Sequence, residues 1–280
     1  MSDSHKEGFN LPPEQQAIRN KCFHPSGTFV EFPMEDVETS IPARFEKIVR
    51  MSPDRIAVET DNEKLTYEAL NRAANRLANV ILAEEDTGKS PVAVVLHKGI
   101  AQTTAILAVL KTGRMFLLQD PNSAANELAH ILIDADVKLV VTNKKLTSPL
   151  GGLGNQDVRV VDIDVTNDGG NDQNPTIQIT AESGAYIKYT SGSAARAKGV
   201  VIPHRTILHA VMNQTNSIGF CSQDRSVAVN GNTISRIVFS ASTQWCGLLS
   251  LRFPPRGNAP ISPVDGTTRN HDVPIISKCI

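Results

Sequence analysis

Residues 91–118 read PVAVVLHKGIAQTTAILAVLKTGRMFLL. The stretch opens with PVAVVL, six residues with no polar side chain. A half-solvated strand would alternate apolar and polar positions. An unbroken run belongs instead in a strand covered on both faces, as in the interior of a parallel sheet. Residues 99–112 follow with helical spacing and are expected to turn Ile100, Leu107 and Leu110 inward, with Gly113 closing the helix at the C′ position. Residues 114–118 are again extended. A strand, a crossover helix and a second buried strand make a βαβ unit.

The same alternation continues on either side. Downstream, Ser123 is read as the cap of a helix carrying Leu128, Ile131 and Leu132, and residues 137–141 form another buried strand. Strands are expected at 158–163, 185–190 and 199–202. A helix at 204–218 follows, with Ile207, Val211, Thr215 and Ile218 inward and Gly219 ending it. Upstream, residues 41–51 form a helix through Ile41, Phe45, Ile48 and Val49, stopped by Pro53. Short extended pieces at 56–59 and 64–65 flank a turn at Asp61 and Asn62. Thr66 then caps a helix whose apolar stripe is Leu70, Ala74, Leu77 and Ile81. Gly-, Asn- and Asp-rich residues at 148–155 and 167–175 read as loops. No internal repeat is present. After about Asn230 the periodicity fades, and the last thirty residues contain five prolines, which remove the donors a sheet ladder needs. The fold class is therefore α/β. A flexible lead-in is expected at 1–40, an α/β domain at 41–229 and an irregular tail at 230–280.

Composition narrows the function. The chain has 280 residues, 40% hydrophobic and 20% charged, and a net charge of -1 from 28 basic and 29 acidic side chains. A protein that lives by neutralising nucleic-acid phosphates needs a basic excess, so no nucleic-acid partner is expected. No apolar run approaches the ~18 residues of a membrane span, and the polar first twenty residues do not resemble a signal peptide. Cys22, Cys221, Cys246 and Cys279 form no C-x-x-C pair. They are expected to be free thiols in a reducing, cytoplasmic setting, with neither disulfide nor metal.

Residues 189–199, YTSGSAARAKG, carry the chemistry. They supply hydroxyls at Thr190, Ser191 and Ser193, a flexible Gly192, and a basic end at Arg196 and Lys198. Between two strands such a loop can wrap phosphates, because hydroxyls and backbone amides donate to phosphate oxygens and the lysine adds a point charge. Each hydrogen bond to a charged group contributes roughly 1.5–3 kcal/mol. It is not a Walker loop, whose pattern G-x-x-x-x-G-K-S/T is not met. Composition leaves open both a phosphate grip and a solvated turn.

The order of the residues is more specific. Residues 185–199, AYIKYTSGSAARAKG, continuing to Val200, Val201 and His204, resemble the Y-T-S-G-S-T-G-x-P-K-G-V signature of the adenylate-forming (AMP-binding) superfamily. That superfamily includes nonribosomal peptide synthetase adenylation domains, acyl-CoA synthetases and luciferases. Residues 65–78, LTYEALNRAANRLA, and 107–121, LAVLKTGRMFLLQDP, are similar to two upstream segments of peptide-synthetase adenylation domains. The resemblance spans about 41–220 and implies βαβ-layered subdomains of the adenylate-forming large domain. It implies ATP and Mg²⁺, with no tightly bound cofactor, and a carboxylic-acid substrate turned into an acyl-adenylate. The acyl group then passes to a carrier-protein thiol or CoA. It places Thr190, Ser191, Gly192, Ser193, Lys198 and Gly199 on the β- and γ-phosphates. None of these is a covalent catalyst. His204 corresponds to the superfamily's histidine beyond the loop and is expected to make a structural hydrogen bond.

The chain departs from the pattern in the loop and beyond it. Ala194, Ala195 and Ala197 stand where the superfamily has Thr, Gly and Pro, which removes a hydroxyl donor and adds a methyl where close approach is usual. Residues 239–242, FSAS, are similar to the superfamily's F-D-x-S, so Phe239 and Ser240 are candidates for the acyl pocket, with core strand as the alternative. Ser240 in place of the aspartate argues against an ordinary α-amino acid. The Y-G-P-T-E and Y-x-T-G-D segments and the lysine of the small C-terminal domain are not found in the sequence. The expectation is an incomplete ligase domain, inactive by itself. The alternatives are a degenerate module that docks a partner, or a truncated product without stable function.

Overall fold

The computed structural model describes residues 12–15, 17, 29–84, 89–146, 158–164, 170–190, 198–218, 225–230 and 233–240. Its strands are β1 (Ile56–Glu59), β2 (Lys64–Thr66), β3 (Val92–Val95), β4 (Phe116–Gln119), β5 (Leu139–Thr142), β6 (Arg159–Asp162), β7 (Gly184–Thr190), β8 (Lys198–Pro203), β9 (Arg225–Asn230) and β10 (Thr233–Ser240). Its α-helices are α1 (Ile41–Met51), α2 (Tyr67–Ala83), α3 (Ile100–Lys111), α4 (Ala125–Asp134) and α5 (His204–Ile218).

β3 is the centre of a six-stranded sheet ordered β6-β5-β3-β4-β7-β8. It pairs in parallel with β4 on one side and β5 on the other, with Val92 opposite both Phe116 and Leu139. Only β8 runs antiparallel, against β7. The unbroken apolar run has the cause expected of it. Val92 and Val94 join the core formed with α1, α2, α3 and α5, while Ala93 and Val95 pack on the opposite face with Leu128, Ile131 and Leu132 of α4. The crossovers β3–α3–β4 and β4–α4–β5 thus cover opposite faces, as a doubly wound parallel sheet requires.

α3 is buried almost all round. Ala105, Ile106, Ala108 and Val109 are enclosed along with Ile100, Leu107 and Leu110, because the helix lies between the sheet and α2. Gly113 ends it with φ 72°, a left-handed conformation that costs glycine least. Thr66 caps α2, its hydroxyl accepting the amide of Ala69 at 3.1 Å. The cap assigned to Ser123 is not made. α4 starts one residue later than that cap requires, at Ala125 with Ala124 as its unassisted N-cap, and the Ser123 amide instead donates to the Asp120 carbonyl in a turn.

Two segments are more regular than their sequences suggest. Within the expected lead-in, Met34–Glu38 forms a 3-10 turn and Phe32 and Val37 are buried in the main core. Asp36 accepts from Arg44 and from Lys47 of α1, the latter at 2.8 Å, and the Arg44 guanidinium stacks over Phe32. Within the expected tail, Thr233–Ser240 is a strand. A second sheet, ordered β2-β1-β10-β9, is antiparallel throughout and sets Phe239 opposite Val58. Proline depletes only the residues after it, so nothing in 233–240 itself opposes a ladder. Among the described residues no helix is long and apolar enough to cross a membrane.

Candidate functional site

β7 and β8 form a hairpin whose last pairs are Tyr189 opposite Gly199 and Thr190 opposite Lys198. Residues 191–197 join them and lie outside the described residues. With them go Ser191, Gly192 and Ser193 of the expected phosphate grip and all three alanine departures. What is described is the base of the loop. Since β7 runs parallel to β4, Thr190 ends at the same sheet edge as Val95, Gln119 and Thr142. This carboxyl edge is where open α/β sheets bind their ligands. On this same edge the strand order reverses between β3 and β5, with β4 standing between β3 and the hairpin.

The base is built from close contacts. Lys198 is exposed. At Gly199 a Cβ atom would stand 3.1 Å from Tyr189 Cζ and 3.3 Å from Ile187 Cγ2. A side chain here would need the Tyr189 ring or Ile187 to give by a few tenths of an ångström. That ring packs against the core beneath α4, and its hydroxyl donates to Asp134 Oδ2 at the end of α4, 2.6 Å away. Burial first, and then the neighbouring carboxylate, push the phenol above its ordinary range.

His204 starts α5 directly after β8 and is fully buried. Its Nδ1 accepts the amide of Ile41 at 3.2 Å, and its own amide donates to the Ser183 carbonyl. Burial pushes the imidazole down to about 4. The ring is neutral and structural, as expected of it. Phe239 and Ser240 lie on β10 of the four-stranded sheet, opposite Val58 and Arg225, and not on the sheet that carries the hairpin. Among the described residues no group of three or more His, Cys, Asp or Glu side chains suits a metal ion. Sequence reasoning passed over Asp134. It ends a helix on the surface, and nothing in its neighbours marks it as the partner of a tyrosine on β7.

Comparison with known proteins agrees with this geometry. The family described as "AMP-binding enzyme" matches residues 45–246. The chain is 33% identical over 192 residues to a dimodular nonribosomal peptide synthase of Bacillus subtilis, covering 66% of this chain and 8% of that protein. It is 34% identical over 219 residues to tyrocidine synthase 3 of Brevibacillus parabrevis, covering 78% of this chain and 3% of that protein. Among solved structures, the nonribosomal peptide synthetase FmoA3 bound to α-methyl-L-serine-AMP matches with a TM-score of 0.63 and 25% identity, over 79% of this chain and 23% of that one. The chain thus spans a small fraction of the length of the relatives it matches. With the match running through both sheets, the hairpin included, this chain belongs to the AMP-binding enzyme family.

Proposed function

We propose that this chain supplies the triphosphate grip of an adenylate-forming ligase. In the reaction, a carboxylate oxygen of a carboxylic or amino acid attacks the α-phosphorus of ATP, and the bond to pyrophosphate breaks. The acyl-adenylate then gives its acyl group to a carrier-protein thiol or CoA, releasing AMP. The observation that carries the reading is the β7–β8 hairpin, which leaves the carboxyl edge of the parallel sheet with Lys198 paired to Thr190.

Thr190, Ser191, Gly192, Ser193, Lys198 and Gly199 hold the β- and γ-phosphates. Their work is orientation and stabilisation of the negative charge that grows on the leaving pyrophosphate, and no residue of the chain forms a covalent bond. The hydroxyls and the cation suit phosphate oxygens. Mg²⁺ arrives with the nucleotide, held mainly by phosphate oxygens and water, as is usual for this ion. Phe239 and Ser240 are assigned to the acyl pocket on motif similarity. The adenylate carried by FmoA3, a relative of the same fold, supports the reaction class.

The test is titration of MgATP into the full chain by calorimetry. Lys198→Ala is expected to weaken binding about tenfold or more. Restoring the motif with Ala194→Thr, Ala195→Gly and Ala197→Pro together is expected to strengthen it by about tens-fold or more. A second reading, a non-catalytic module that docks a partner, is favoured by those same three alanines. A cooperatively folded chain with no ATP affinity, before and after the restoration, decides for that reading and against the first.

A further inference from the structure

We infer that Tyr189 and Asp134 act as a positioning pair for Lys198, tying the base of the hairpin to the end of α4. The inference rests on the phosphate-grip reading of the hairpin and names the residues that hold the grip in place. Three contacts meet at one point. The Tyr189 hydroxyl donates to Asp134 Oδ2 at 2.6 Å. The same ring closes over the backbone of Gly199, where a Cβ would come within 3.1 Å of Cζ. Gly199 is the covalent neighbour of Lys198, which pairs with Thr190 in the last described rung of the hairpin.

Among the described residues β8 is the edge of its sheet, with one strand partner, and Lys198, Gly199, Val200 and Val201 are all exposed. An edge strand of this kind has little besides its single ladder to fix its end. α4, by contrast, is anchored by Leu128, Ile131 and Leu132 in the core on that face of the sheet. A rigid aromatic ring bonded to that helix and pressed on the edge strand passes the helix's fixed position to the strand. Neither Tyr189 nor Asp134 needs to touch phosphate. Each acts through Gly199 on where the Lys198 backbone stands.

The full chain is titrated with MgATP, and separately with inorganic tripolyphosphate, as wild type, Tyr189→Phe, Asp134→Ala and the double variant. Each single change is expected to weaken both ligands about three- to tenfold. The double variant is expected to be no worse than either single one, because both remove one bond. Asp134→Ala keeps the ring and trims only an exposed side chain, so its unfolding midpoint is expected to stay near wild type while its affinity falls. A merely structural role would move the midpoint and leave affinity unchanged. ATP binding by wild type with neither single variant affected, or with losses that add in the double, overturns the inference and leaves the grip reading standing. No binding of either ligand by the wild-type chain, nor by the chain with Ala194→Thr, Ala195→Gly and Ala197→Pro, overturns both.

Discussion

The amide of Ile41 donates to Nδ1 of His204 across 3.2 Å, joining the first turn of α1 to the first residue of α5. Because Nδ1 accepts, the ring proton sits on Nε2, and the imidazole is enclosed without a neighbouring charge to favour a second proton.

Burial holds this ring at about 4 in the folded chain, against an ordinary value near 6.5 once unfolded. Between those two pH values the unfolded chain binds a proton that the folded chain refuses. Stability is therefore full above about pH 6.5 and falls as the pH drops towards 4, by up to about 3 kcal/mol. Urea midpoints at pH 7.5, 6 and 5 measure it. His204→Asn keeps an acceptor for Ile41 and cannot titrate, so its stability is expected to depend less on pH by that amount. Equal slopes in the two proteins would show that His204 is not the source.

Thr66 and Ser123 test what a cap contributes. Thr66 Oγ1 accepts the Ala69 amide at 3.1 Å, whereas α4 has no side-chain cap. Thr66→Ala is expected to cost about 1 kcal/mol, and Ser123→Ala about 0.5 kcal/mol or less. Chemical denaturation of both variants decides it, and comparable losses would contradict the assignment.

These two residues also show what a sequence discloses. Both are hydroxyl residues ahead of an apolar helical stripe, and only the turn around Asp120 moves the start of α4 past Ser123. The buried strands were legible at β3 and β5 because burial on both faces leaves an unbroken apolar run, and Gly113 was legible because only its backbone ends α3. Of β10 only the end was legible, as the core-strand reading of 239–242. One of its two partners, β1, lies far away in sequence and leaves no local signature, although the other, β9, is its neighbour in the chain. In the site, the hydroxyl-rich loop declared itself by residue order. The bond from Tyr189 to Asp134 did not, because two polar side chains on separate elements carry no periodicity.

Lys111 is the last residue of α3 and is only 2% exposed. Its Nζ donates to Glu46 Oε1 at 2.5 Å and to Asn174 Oδ1 at 3.0 Å, which joins α3 to α1 and to the segment at 170–175. That segment is also held along α2, where Asn75 donates to the Asp172 carbonyl at 2.8 Å and to Asn174 Oδ1 at 2.7 Å. Desolvation lowers the lysine pKa, and Glu46 opposes the shift. Removing the amine takes the donor from the Glu46 carboxylate, while Asn174 Oδ1 keeps the one from Asn75. Lys111→Met, which fills the same volume, is expected to cost about 2 kcal/mol, with part recovered by adding Glu46→Gln. Thermal unfolding of the single and double variants reads this out. Should Lys111→Met be neutral, the pair is not holding the three elements together.

Gly199 offers a test in which the sign of an effect is at stake. Its backbone is not among the positive-φ glycines of the described chain, so alanine fits its conformation and by itself would stabilise by about 0.4–1 kcal/mol through the unfolded state. Against this stands the Tyr189 ring, 3.1 Å from where the methyl must go, with Ile187 Cγ2 at 3.3 Å. A free ring would tilt away at little cost. This one is bonded to Asp134 through its hydroxyl and packed on the core below α4, so making room strains that bond or opens the packing. Overpacking of this kind typically costs about 1–3 kcal/mol, which exceeds the gain. Gly199→Ala is therefore expected to destabilise by about 1 kcal/mol in the wild-type chain and to stabilise slightly once Tyr189→Ala has removed the ring. Urea denaturation of the four proteins of that cycle gives the answer. Stabilisation in the wild-type background would mean the ring is free to move and does not hold the end of β8.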